Sequence, residues 1–161
     1  ILFLFVEKEQ LVQKTKKENK PRVSFYDSTM YEITETRVDQ IVKSKQADIY
    51  KKKEQLTDAT IIVKVNKNNY DTNIASSKNM LKKENEVTLV DNVNLQFANG
   101  MNLKTEKLEY NLKTQIVKNN LPFIITRNND TFVGSDLFLN TVTEHLTAEK
   151  TKFRMKVEEN E

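Results

Sequence analysis

Residues 103–125 read LKTEKLEYNLKTQIVKNNLPFII, with apolar side chains at alternate positions on either side of a polar break. Leu108, Tyr110 and Leu112 are spaced by Glu109 and Asn111. Leu121, Phe123 and Ile125 resume the alternation after Asn119 and Asn120. Successive side chains leave a strand on opposite sides, so period-two alternation predicts strands with one buried face. Asparagine tolerates left-handed backbone better than most residues, so Asn119–Asn120 reads as a turn.

The same alternation spreads outward from this stretch. Val93, Leu95 and Phe97 alternate with Asn92, Asn94 and Gln96. Thr151, Phe153, Met155 and Val157 alternate with Lys150, Lys152, Arg154 and Lys156. Three segments align without a gap over their first halves: 74–88, 103–117 and 133–147. Each has a hydroxyl two residues after its start, at Ser76, Thr105 and Ser135. Each has an apolar residue further on, at Val87, Ile116 and Leu146. A looser copy spans residues 38–65 and ends Ile61-Val63-Val65, giving a period of about 30 residues. Such a period predicts stacked units of two or three short strands, because one unit cannot bury its apolar face alone. An all-β sandwich, with strands every 8–12 residues, stays open as the other arrangement.

If every strand turns its apolar side inward, the sheet folds into a trough lined by aliphatic and phenylalanine side chains. An open trough of that kind suits an acyl chain, since each buried methylene contributes about 0.8 kcal/mol. The expected lining is Ile61, Val63 and Val87, then Val93, Leu95 and Phe97. It continues through Leu108, Tyr110, Leu112 and Ile116, then Leu121, Phe123 and Ile125. Leu139, Phe153 and Met155 complete it. The ends of the stack leave unpaired strand edges, which invite pairing with a partner sheet.

Composition narrows the function classes. With 37% hydrophobic and 30% charged residues, the chain can bury a core. It has only two glycines and two prolines, so turns rely on Asn66 to Asn69 and Asn128 to Asp130 as well. The absence of cysteine excludes disulfides, thiolate catalysis and cysteine-bound metal. One histidine, His145, gives no clustered metal set and reads as a solvent-facing strand residue. Gly100 and Gly134 cannot build a Walker or dinucleotide loop, and no serine sits in a nucleophile elbow. A net charge of +3 with mixed signs lacks the basic stripe of a nucleic-acid binder. Lys51-Lys52-Lys53 is a solvated turn or, less favoured, an anion contact. The reading is a non-enzyme without a cofactor or metal.

The N-terminus begins Ile1-Leu2-Phe3-Leu4-Phe5-Val6 and turns polar at Glu7. A transmembrane helix or signal segment cut near its end leaves such a stub; a buried first strand or a cloning remnant reads the same. Residues 7–22 read as a polar tether ending at Pro21.

On these residues the chain resembles the LptC family. The 103–125 stretch is similar to the family's core, with a leucine–x–threonine–acidic strand and then a proline-containing strand. VGSDLFLNTVTEHLTAEKTKFRM (133–155) resembles its last portion, and LVDNVNLQF (89–97) the strand before the core. SFYDSTMYEIT (24–34) is a weaker match to its first strand. The resemblance covers residues 23–157 and the apolar stub. Its sister proteins, the soluble bridge LptA and the N-terminal domain of LptD, share much of the pattern.

The resemblance implies a twisted β-jelly-roll trough, residues 23–158, in the periplasm of a Gram-negative cell. A single inner-membrane helix, ending in residues 1–6, would anchor it. It implies lipopolysaccharide as cargo, handed over by an ABC exporter of LptB, LptF and LptG and passed to LptA. The exporter-facing edge would be Ser24 to Ile33, with Phe25, Tyr26, Met30, Tyr31 and Ile33. The bridge-facing edge would be His145 to Val157, with Leu146, Phe153, Met155 and Val157. Gly134 matches a family glycine where a missing Cβ permits a bend. The tether's net positive charge would favour the cytoplasmic side, so the orientation rests on the resemblance. Two other functions stay open. One is a structural adaptor that joins envelope proteins through its edges, or the related soluble bridge. The other is a surface adhesin or polysaccharide binder, for which Tyr50 and Tyr70 are the aromatic candidates.

Overall fold

The computed structural model describes residues 20–35, 38–64 and 71–155. The expected membrane stub, most of the tether, Tyr70, Asn66 to Asn69 and Val157 lie outside these residues. Ten antiparallel strands and no helix occupy the described part. The first five are β1 (Val23–Ile33), β2 (Val38–Ile49), β3 (Glu54–Lys64), β4 (Thr72–Lys83) and β5 (Glu86–Gln96). They are followed by β6 (Met101–Asn111), β7 (Ile116–Asn119), β8 (Phe123–Arg127), β9 (Asp130–Asn140) and β10 (His145–Arg154). Each strand pairs with its neighbour in sequence, except that β7 and β8 share one lane between β6 and β9. Among the described residues the sheet is a meander with β1 and β10 as its edges.

The strands are 10 to 12 residues long outside the β7–β8 lane, longer than the expected short pieces. Most bend in the middle. Asp27, Asp58, Asp91, Asn92, Asp136 and Lys150 have positive φ, between 48° and 64°, within strands. Five of these six are aspartate or asparagine, the non-glycine residues that best tolerate this region. The β3–β4 ladder steps over Asp58, from Thr57–Asn79 to Ala59–Ser77. The β1–β2 ladder likewise steps over Asp27. In the β7–β8 lane, residues 120–122 take the same place. Asn119–Asn120 is therefore a bend in one lane, whereas Asn128, with φ of 56°, turns the β8–β9 hairpin.

Each bend switches which alternate residues face inward. In β6 the buried residues are Leu103 and Thr105 before it and Leu108 after it. In β3 they are Leu56 before and Ala59 after. The bends line up across the sheet, so it folds into two facing layers. One layer carries the inward row Met30–Val42–Ile61–Ala75–Leu95–Leu103, which continues through Ile125, Phe132 and Phe153. The other carries Ala47–Leu56–Met80–Leu89–Leu108. Residues of both rows belong to one core cluster.

The repeat is thus a hairpin of two bent strands, and its phase differs from the gap-free alignment. The β4–β5 turn has two residues between strands, Glu84 and Asn85, whereas β6–β7 and β9–β10 have four. Register aligns Lys82 with Val87, Tyr110 with Val117 and Leu139 with Leu146. Val117, 4% exposed, is therefore the inward counterpart of Val87, and Ile116 turns to the outer face beside Thr88 and Lys118. A one-residue slip exchanges the two faces of a strand.

Candidate functional site

Between the two layers lies a cavity of about 240 Å³. Small side chains hold the corner on the β1–β4 side, where Ser44, Ala47, Ala59 and Ser77 are buried. Ser28 and Ser44 share a hydrogen bond of 2.8 Å there. One row further from the bend the layers separate and the cavity opens. Its apolar wall includes Val42, Ile61 and Leu95 from one layer and Leu56, Leu89 and Leu108 from the other. Gln40, Asn73 and Thr141 add uncharged polar groups, and Glu54 and Lys82 add charge.

Of the expected lining, Ile61, Val63, Val87, Leu95, Phe97, Leu108, Tyr110 and Leu112 do border this cavity. Val93, Phe123, Ile125 and Leu139 face inward but are packed shut in the core. Leu121 is half-buried at the β7–β8 bend. Ile116 is corrected to the outer face, for the register reason given above. Phe153 and Met155 are about 60% exposed at the β10 edge, because no described strand covers them. The wall also includes Met30, Val42, Leu56, Met80, Leu89 and Val117, which periodicity missed. Leu56 and Met80 sit next to bends, where alternation breaks and a single apolar residue carries no periodic signal.

The cavity ends toward β8–β10 because aromatic rings fill that end. Phe123 is 2% exposed, and its ring lies 5.7 Å from that of Phe132. Phe132 lies 6.3 Å from Phe153. Gly134 pairs with Phe123 in the β8–β9 ladder. A Cβ there would stand 3.0 Å from the Phe123 ring and 3.0 Å from the Glu149 carbonyl oxygen. Its role is space for the ring, since its φ is not among the positive ones. Asn119, buried at the bend, donates from Nδ2 to Thr105 Oγ1 at 2.6 Å. Thr105 Oγ1 donates to the Pro122 carbonyl at 2.9 Å, and Asn119 Oδ1 accepts from the Leu121 amide.

The edges differ in character. On β1, Tyr26, Tyr31 and Ile33 are exposed and Phe25 borders on it, whereas Met30 turns into the cavity. On β10, Leu146 packs partly against the core and Phe153 stands out from the edge. His145 is exposed. In the β2–β3 turn Lys51 and Lys52 are exposed, and Lys53 Nζ sits 4.5 Å from the centre of the Tyr50 ring. That contact occupies Tyr50 locally. Among the described residues no group of three or more acidic or histidine side chains could hold a metal, and no helix is long and apolar enough to cross a membrane.

A family model described as "Lipopolysaccharide-assembly, LptC-related" matches residues 1–150. The chain belongs to the LptC family. No curated protein matches it significantly. Membership of the LptC family assigns the chain a role in lipopolysaccharide transport, in a family of transport components rather than of enzymes. A two-layered sheet with an apolar cavity is a scaffold suited to that role.

Proposed function

We propose that the cavity between the layers is the lipid track, holding the acyl chains of lipopolysaccharide while its sugars stay outside. The observation that carries this is the pairing of family membership with an apolar cavity that reaches solvent at its rim. Each methylene transferred from water into it contributes about 0.8 kcal/mol, so a few seated acyl segments suffice for binding without any chemistry. The chain acts passively, and ATP hydrolysis by an ABC exporter of LptB, LptF and LptG supplies the drive. Residues 23–158 work in the periplasm, beside the inner membrane. The β1 edge, through Tyr26, Tyr31 and Ile33, receives the exporter's sheet. The β10 edge, through Leu146, Phe153 and Met155, with Val157 beyond, pairs with LptA. Edges that no described strand pairs, with exposed apolar residues, are suited to strand addition.

The test is photo-crosslinking in cells, with the reactive residue at Leu95 and a control at the outward Lys113. A lipopolysaccharide adduct at Leu95 and none at Lys113 is the expected result. The packed aromatic end favours a second reading, a structural adaptor that joins envelope proteins through its edges without touching lipid. No adduct at Leu95, Phe97 or Tyr110 in assembled protein, together with lost assembly on charging Tyr31 or Phe153, selects the adaptor.

A further inference from the structure

The cavity wall contains two charged side chains, Glu54 and Lys82, in an otherwise uncharged lining. They face each other across the β3–β4 ladder, and Lys82 Nζ lies 3.8 Å from Glu54 Oε1. That distance is an ionic contact without a hydrogen bond. Both side chains are largely covered, at 21% and 27% exposure. The positions beside them in the same inward row are apolar: Ile49 pairs with Glu54, and Val87 with Lys82. An apolar pair at 54 and 82 would serve packing at least as well, because a covered ion pair loses hydration that its attraction barely offsets. The fold therefore gives no reason for the pair. An ammonium group carries three donors, and a loosely held one can turn them to another acceptor.

We infer that Lys82 is the contact for a phosphate group on the lipid's head, with Glu54 as its counter-ion while the cavity is empty. The inference rests on the lipid-track reading and adds a selective polar point to it. Acyl chains lie among Val42, Leu56, Leu95 and Leu108, and a phosphate at the boundary between chains and sugars meets Lys82. Phosphate oxygens accept charge-assisted hydrogen bonds, which are stronger than neutral ones. Glu54 repels the same phosphate, so it sets how readily the lipid leaves.

The experiment compares binding of the full chain to a phosphorylated lipid A and to the same lipid stripped of phosphate, with inorganic phosphate as a third probe. Wild-type protein is expected to prefer the phosphorylated form about tenfold or more, the value of one hydrogen bond to a charged group. Lys82→Met, which keeps the aliphatic stem, is expected to abolish that preference, and Lys82→Arg to restore it. Glu54→Gln is expected to increase it. An unchanged preference in Lys82→Met, read in protein with wild-type circular dichroism, overturns the inference while leaving the track reading intact. Inorganic phosphate binding as tightly as the phosphorylated lipid overturns the lipid as the source. Failure of wild-type protein to bind either lipid overturns the track reading, and this inference with it.

Discussion

Gly134 and Phe123 stand opposite each other in the β8–β9 ladder, and the phenyl ring occupies the space that a side chain at 134 would need. The ring cannot retreat freely, since it packs against Phe132. The Glu149 carbonyl closes the other side at the same distance. Gly134→Ala is therefore expected to destabilise the protein by about 1–3 kcal/mol, the usual cost of overpacking. Phe123→Ala alone is expected to cost about 3–5 kcal/mol. In the double variant the alanine at 134 is relieved of the ring, though not of the Glu149 carbonyl, so the double variant loses less than the sum of the two single losses. Urea unfolding of the four proteins measures this coupling; strict additivity would show that the contact is not responsible.

That pair also marks what the sequence could tell and what it could not. Gly134 and Phe123 each stand out in the sequence, but by different features, and their contact depends on register. Strand class was legible because Val93-Leu95-Phe97 and Leu108-Tyr110-Leu112 alternate without interruption. Facing was legible only within half a strand. A residue with positive φ resets the alternation, and nothing in the local pattern marks Asp58 or Asp136 as such a point. Turn length then decides phase, which is how Val117 rather than Ile116 comes to face inward. Exposure of Phe153 follows from β10 being the last described strand, a property of the whole sheet and not of its neighbours in sequence.

The mid-strand bends give a second prediction. Asp58 has φ of 48°, where a β-branched side chain clashes with its own backbone and glycine does not. Asp58→Gly is expected to be close to neutral, whereas Asp58→Val is expected to lose about 1–2 kcal/mol. The midpoint of urea unfolding should fall for valine alone, with an unchanged slope. Equal losses in both variants would point to the aspartate carboxylate instead of the backbone.

Asn119 has the sequence signature of a turn residue, and the structure makes it a buried clamp. Its amide joins Thr105 on β6 to the bend between β7 and β8. Removing it leaves the Leu121 amide without its acceptor near the core. Asn119→Ala is expected to cost about 1–3 kcal/mol, the penalty for stranding a covered polar group. Hydrogen exchange should accelerate at Leu121 more than at Leu89, which belongs to a strand without that contact. Uniform acceleration would mean that the bend has no local stability of its own.

The cavity makes a contrasting prediction, because a larger side chain on its wall has somewhere to go. Ala75 lies on the cavity wall in the same inward row as Ile61 and Leu95. Its neighbours in the ladder are apolar, so an added ring meets no polar group that it would strip of a partner. Ala75→Phe should direct its ring into the 240 Å³ space and change stability by less than about 1.5 kcal/mol. The same ring removes the volume that acyl chains would use, so the lipid adduct at Leu95 should fall several-fold. Gly134→Ala is the matched control: it strains the packed aromatic end and leaves the cavity open. It should lower stability while the adduct in the folded fraction persists. If Ala75→Phe destabilises as much as Gly134→Ala, the two layers close on each other in solution, and the interior there is core rather than track.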